Sequence, residues 1–266
     1  MNTNPARYMI ASSDQGWIID VPIGSLQTSL GALVLFIVLA TAALQRLTSP
    51  RECALLLSMS IGAGIVGAWG FDGLATGRWR PPGLSLAGAI LAGSVTLWLA
   101  AGRRLPNRRW EILAALAPSA AFAAGVARLG CLGAACDYGR MPSWDLPWRV
   151  RHAFDTNAAG WLRSVGDMHP WQTYSPGVHP FALYDALGLW VTAGLALALR
   201  RRWSARALAL FVATGAALSR ATAEAFRGNA PTVIVGSTEL PWMAVLPACL
   251  ALVLALALSR ALRRPT

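Results

Sequence analysis

Lysine is missing from this sequence altogether, and charge of either sign is scarce: only 13% of the 266 residues are charged. Globular domains carry about a quarter, so an ordinary water-facing surface is excluded. The absence of lysine itself has no physical account here. Period-2 alternation of apolar and polar residues is also lacking, which excludes a transmembrane barrel. There is no low-complexity tract and no clear internal repeat, so the matched halves of an inverted-repeat transporter are missing. Cysteine is limited to Cys53, Cys131, Cys136 and Cys249. No three or four ligands converge as zinc demands. Cys131 and Cys136 stand five apart on an apolar run. On a helix that step rises about 7.5 Å and turns the sulfurs to nearly opposite sides, whereas a disulfide needs Cα atoms within about 7 Å. Both are expected to be reduced and to pack as small apolar side chains.

What is present is hydrophobic sequence, 55% of the chain, in runs near the roughly 20 residues that cross a bilayer. Seven are read: Leu26 to Leu44, Cys53 to Phe71, Gly83 to Ala101, Ile112 to about Cys136, Phe181 to Leu199, Ala207 to about Ala223, and Leu240 to Leu258. In lipid the backbone must satisfy its own hydrogen bonds, so each run is a helix. The fold class expected is all-α, a polytopic membrane bundle of seven helices forming one domain over residues 1–266.

The net charge of +11 comes from 23 arginines against 12 acidic residues, and its distribution is informative. Arg46 and Arg51 lie between the first and second runs. Arg103, Arg104, Arg108 and Arg109 lie between the third and fourth, and Arg200, Arg201, Arg202 and Arg206 between the fifth and sixth. Arg260, Arg263 and Arg264 close the chain. Alternate short connections are basic, so the positive-inside rule makes them cytoplasmic, with the N-terminus outside and the C-terminus inside. The charge therefore signals topology, not nucleic-acid binding. The first 25 residues hold one arginine, Arg7, far from a run already long enough to span. They read as an ordered external segment, not a signal peptide. Trp69, Trp79, Trp110, Trp203 and Trp242 fall at predicted helix ends, as an interfacial belt would have them.

One connection is long. Residues 138 to about 178 hold four prolines, four tryptophans and Arg140, Arg149, Arg151 and Arg163. This composition suits a piece lying on the outer leaflet. Glycines at Gly62, Gly64, Gly67 and Gly70, and at Gly83, Gly88 and Gly93, suit close helix packing in lipid.

Charges in or beside the spans are costly and therefore informative. Arg128 is near the outer end of the fourth span, with Asp137 following. Asp185 is inside the start of the fifth, after His179 and Tyr184. Arg220 and Glu224 are near the outer end of the sixth, with Arg227 following. All fall toward the outer side. Arg220 and Glu224 are i,i+4 neighbours, and Glu224 and Arg227 are i,i+3, so a structural ion network would account for them. Arg128 has no acid three or four residues away; Asp185 or a ligand is its partner. A guanidinium suits forked recognition of phosphate, and two of them beside an outer leaflet would fit a phospholipid headgroup.

Three motifs bring a family into view. The chain reads Ala127-Arg128-Leu129-Gly130-Cys131-Leu132-Gly133-Ala134-Ala135-Cys136-Asp137-Tyr138-Gly139, then His179-Pro180-Phe181-Ala182-Leu183-Tyr184-Asp185, then Arg220-Ala221-Thr222-Ala223-Glu224-Ala225-Phe226-Arg227. In order, spacing and placement these resemble the motifs of the phosphatidylglycerol–prolipoprotein diacylglyceryl transferase family: Gly-Arg-x-Gly-Asn-Phe-x-Asn-Gly-Glu-x-x-Gly, His-Pro-Ser-Gln-Leu-Tyr-Glu, and Arg-Phe-x-x-Glu-x-Phe-Arg. The chain departs from the pattern at several positions, three of which bear on the chemistry. Leu86-Ala87-Gly88-Ala89 stands for the family's Phe-His-Gly-Gly, Cys131 for an asparagine, and no tyrosine stands in the first span.

The resemblance implies a transferase of the bacterial cytoplasmic membrane with its site toward the outer side. It would move a diacylglyceryl group from phosphatidylglycerol to the lipobox cysteine thiol of a prolipoprotein, releasing glycerol phosphate. Arg128, Arg220 and Asp185 would be catalytic. Arg128, Gly130, Gly139, His179, Tyr184, Arg220, Glu224 and Arg227 would bind substrate. No cofactor or metal follows. With the family histidine unmatched, water or Asp185 would take the thiol proton. Two other readings stay open. One is a catalytically impaired homologue that binds phospholipid or a partner without transfer. The other is a transporter, which would need charges lining a path through the whole bilayer.

Overall fold

The computed structural model describes residues 9–13, 16–20, 25–76, 85–135, 138–228, 232–235 and 238–262. Arg7, Trp79, Gly83, Cys136, Asp137, Arg263 and Arg264 lie outside them. Every apolar run forms a helix: α1 (Ser25–Leu44), α2 (Pro50–Thr76), α3 (Leu86–Arg104), α4 (Arg109–Ala134), α6 (Phe181–Leu199), α7 (Ala205–Glu224) and α8 (Trp242–Leu262). A short helix, α5 (Asn157–Ser164), lies in the long connection. Side-chain caps set several starts. The Ser85 hydroxyl accepts from the Gly88 N–H at α3, Thr156 from Ala159 at α5, and Ser204 from Ala207 at α7, each satisfying one orphan donor of the first turn.

Among the described residues four stretches are long and apolar enough to cross a bilayer: Gln27–Leu44, Pro50–Phe71, Pro106–Ala134 and Phe181–Leu199. Helix α7 matches its expected position but carries Arg206, Arg220 and Glu224, which lower its apolarity. Large apolar side chains such as Val34, Val66, Leu91, Leu197 and Val253 are exposed. A helix apolar on its outward face is one surrounded by lipid or by other protein.

Helix α2 packs on α3, α1 on α4, α4 on both α6 and α7, α6 on α7, and α7 on α8. The α2–α3 crossing requires glycine on both sides. A Cβ on Gly67 would sit 2.6 Å from the Gly88 carbonyl oxygen, and one on Gly88 would sit 2.3 Å from that of Gly67. Such contact between backbones is how helices gain dispersion energy where lipid removes the hydrophobic drive.

The two ends of the bundle differ in chemistry. One end gathers the short basic connections. Arg104 pairs with Glu52 at 3.2 Å, and Arg108 Nη1 donates to the Leu47 carbonyl at 2.7 Å. Arg109 lies over Trp98 and Arg206 over Trp110. At the other end three chain segments cross where α4 and α7 finish and α6 begins. Arg140 N–H donates to Phe226 O at 2.8 Å, Gly228 N–H to Tyr138 O at 2.9 Å, and His179 N–H to Arg140 O at 3.0 Å.

The long connection is folded. Ala159, Leu162, Met168 and Val178 form a small core. A strand β3 (Val150–Arg151) pairs in parallel with β2 (Gly16–Asp20), itself antiparallel to β1 (Met9–Ser13). The N-terminal hairpin thus joins the end where α4 finishes. A second hairpin, β4 (Thr232–Val235) with β5 (Thr238–Pro241), precedes α8. The last apolar run starts at Leu240, but β5 occupies that position and the helix starts at Trp242.

Candidate functional site

The centre of the second end is a carboxylate from the first turns of α6. Asp185 is 2% exposed. Its Oδ2 meets Arg128 Nε of α4 at 2.8 Å and Arg220 Nη1 of α7 at 3.1 Å. The Ser219 hydroxyl donates to the Asp185 carbonyl oxygen at 3.1 Å and approaches Oδ1 at 3.4 Å. One oxygen thus holds guanidiniums from two helices that both pack on α6. A second carboxylate extends the network. Glu224 is 1% exposed. It pairs with Arg220 one turn back and with Arg227 Nη1 at 3.1 Å. Buried carboxylates are tolerated because each is paired. The guanidiniums keep partial contact with the surface, their side chains 11%, 20% and 12% exposed for Arg128, Arg220 and Arg227.

The ring of Phe181 underlies this cluster, with Arg220 and Arg227 at 5.2 and 5.8 Å from its centre. Around Phe181 pack Ala182, Ala223, Cys131, Leu132 and Tyr184. Next to it lies the crossing of Gly139, His179 and Phe226. A Cβ on Gly139 would come 2.1 Å from the His179 carbonyl oxygen, so only glycine allows the crossing. Just before it, Ala135 ends α4 in the left-handed region at φ 48°. For a residue with a Cβ this conformation costs about 1–2 kcal/mol.

His179 Nδ1 is 3.2 Å from Tyr184 Oη, and Trp148 Nε1 donates to the same Oη at 2.8 Å. The His179 ring also contacts Phe226 at 5.0 Å. Burial, and after it the Arg140 charge, lower the His179 pKa. Burial pushes Tyr138 up to about 12, with Arg227 opposing. His152, inside the long connection, is lowered to about 4 by burial.

The residues singled out from sequence divide cleanly. Arg128, Asp185, Arg220, Glu224 and Arg227 form one network; His179, Tyr184 and Gly139 adjoin it. Gly130 is buried on α4, two residues past Arg128. Sequence reasoning missed Ser219, Phe181, Phe226, Arg140 and Trp148. The first four are neighbours in sequence of residues already chosen. Trp148 had no signal, because it lies in an irregular segment. Among the described residues, no three His, Cys, Asp or Glu side chains gather as a metal site would need.

Apolar helices around a buried, charge-paired centre at one end define the class: an integral membrane protein with a polar site at the bundle rim. Residues 25–258 match the family model of the prolipoprotein diacylglyceryl transferases, and the chain belongs to that family. The family is one of transferases in lipoprotein biosynthesis, acting on prolipoproteins and phospholipid. No curated protein matches the chain.

Proposed function

We propose that this protein moves a diacylglyceryl group from phosphatidylglycerol to the lipobox cysteine thiol of a prolipoprotein, at the outer face of the cytoplasmic membrane. In this reading all seven long helices cross the bilayer, with the N-terminus outside and the C-terminus inside, and residues 1–266 form one membrane domain. The observation that carries the site is the sharing of Asp185 Oδ2 by Arg128 and Arg220 at 2.8 and 3.1 Å. Two guanidiniums are held within reach of one oxygen, partly exposed, at the rim where headgroups lie.

The chemistry follows from that arrangement. The thiol sulfur bonds to the glyceryl carbon, the carbon–oxygen bond to phosphate breaks, and glycerol phosphate leaves as an anion. Arg128 and Arg220 contact the phosphate oxygens and stabilise the charge that develops there. Asp185 positions the two guanidiniums; its oxygens are already engaged by Arg128, Arg220 and Ser219. Glu224 does the same for Arg220 and Arg227.

One observation favours a second reading. Leu86-Ala87-Gly88-Ala89 stands where the family carries a histidine, which suits a homologue that binds phospholipid without transfer. Purified protein, incubated with phosphatidylglycerol and a lipobox peptide, decides between them by mass spectrometry. Transfer adds one diacylglyceryl mass to the cysteine. Lipid binding with no mass gain supports the impaired homologue and overturns the proposal.

A further inference from the structure

We propose that His179 takes the proton of the acceptor thiol through the hydroxyl of Tyr184, in a relay that Trp148 of the long connection holds in place. The inference rests on the transfer reading above and names the proton-handling groups for it.

The hydrogen bonds link the three side chains in a row. An indole N–H only donates, so Tyr184 Oη accepts from Trp148 Nε1 at 2.8 Å. In the proposed relay the phenolic proton is donated to His179 Nδ1, 3.2 Å away. The relay takes the tautomer in which the ring carries its own proton on Nε2 and presents Nδ1 as an acceptor. Its place beside the arginines is set by shared rings. Tyr184 and the two guanidiniums of Arg220 and Arg227 flank Phe181, and His179 and Tyr184 both contact Phe226.

The alternatives are occupied elsewhere. Asp185 is committed to two arginines. His152 is 2% exposed inside the long connection. His169 is stacked on Trp171 in the same segment. Of the three histidines, His179 is the one that adjoins the site.

The step balances. As sulfur bonds to the glyceryl carbon, its proton passes to Tyr184 Oη and the phenol's proton passes to His179 Nδ1. The carbon–oxygen bond breaks with its electron pair on the phosphate oxygen. The imidazolium then gives the proton to the departing phosphate through the same hydroxyl. The charged and titratable groups shown against His179 are Arg140 from the segment after α4 and Tyr184 from α6. The first is a cation, so the proton does not rest on the ring.

The test separates a base from a mere hydrogen-bond acceptor. In His179→Asn the amide oxygen still accepts from Tyr184 but carries no proton. With a lipobox peptide and phosphatidylglycerol vesicles, kcat should fall about 100-fold or more while KM stays within about twofold. The acid limb of the kcat/KM profile should disappear. Tyr184→Phe should behave alike. Trp148→Phe, a positioning change, should cost about tenfold and keep the acid limb. Wild-type kcat with an intact acid limb in His179→Asn overturns the relay. If that variant does not fold, full kcat in Tyr184→Phe overturns it instead. A wild-type protein with no transfer overturns both the relay and the reading beneath it.

Discussion

Asp185→Asn tests the architecture of the site more sharply than any arginine change. The amide has the same size, so packing is unchanged and Ser219 keeps its bond to the Asp185 main-chain carbonyl, 3.1 Å away. Only the charge is lost. Arg128 and Arg220, 11% and 20% exposed, then face a neutral group. A hydrogen bond to a charged partner contributes about 1.5–3 kcal/mol. Breaking a buried pair while leaving the other charge in place costs about 3–5 kcal/mol. Glu224 still balances Arg220, so Arg128 bears most of the loss and the expected cost is about 3–5 kcal/mol. In a chain of this size each kcal/mol lowers Tm by about 2–4 °C, which gives a drop of about 6–20 °C. Thermal unfolding of the detergent-solubilised protein, followed by tryptophan fluorescence, measures it. Asp145→Asn is the control, because that side chain is 85% exposed in its pair with Arg149 and surface pairs contribute little. A shift in Asp185→Asn no larger than the control's would refute the shared-carboxylate argument.

Arg128→Lys and Arg220→Lys should each cut transfer or lipid binding about ten- to a hundredfold, since an ammonium cannot reproduce a forked contact. Arg103→Lys at the opposite end should be nearly silent, and lipid binding by native mass spectrometry ranks the three. A cytoplasm-only reporter fused after Thr266 should be active and one inserted in residues 138–178 inactive; the reverse pattern would invert the topology. His152 stays neutral when folded, with its pKa lowered to about 4 by burial, whereas the unfolded chain protonates near 6.5. Stability should therefore fall as pH drops from about 6.5 to 4, by on the order of 3 kcal/mol, and His152→Gln should flatten that slope in melts recorded against pH. Gly139→Ala should disrupt the crossing at His179, lowering Tm and abolishing transfer. Gly31→Ala, whose Cβ meets nothing within 4 Å, should leave both intact.

The helices were legible because lipid imposes one rule on the backbone, and the apolar runs map onto α1 to α4 and α6 to α8. The pairs along α7 were legible for a related reason: helical spacing alone brings Arg220 to Glu224, and Glu224 to Arg227. Arg128 showed that it needed a distant partner, and Asp185 was a named candidate. The pairing of β2 with β3 was not legible. Trp17 meets Val150 in register, and no periodicity within either segment encodes so distant a contact. The bond from Trp148 to Tyr184 escaped for the same reason. The burial of Asp185 between two arginines is visible only in three dimensions.

The shared carboxylate also sets a schedule for biogenesis. Arg128 enters the membrane with α4, but its partner Asp185 is 57 residues further along the chain and Arg220 is 92. At about 5–20 residues per second, the wait for Asp185 is roughly 3–11 s and that for Arg220 roughly 5–18 s. During that interval the guanidinium of Arg128 lacks the α6 carboxylate, and a long charged side chain in a span reaches toward the nearest polar boundary. The shared carboxylate is complete only when α7 delivers the second guanidinium.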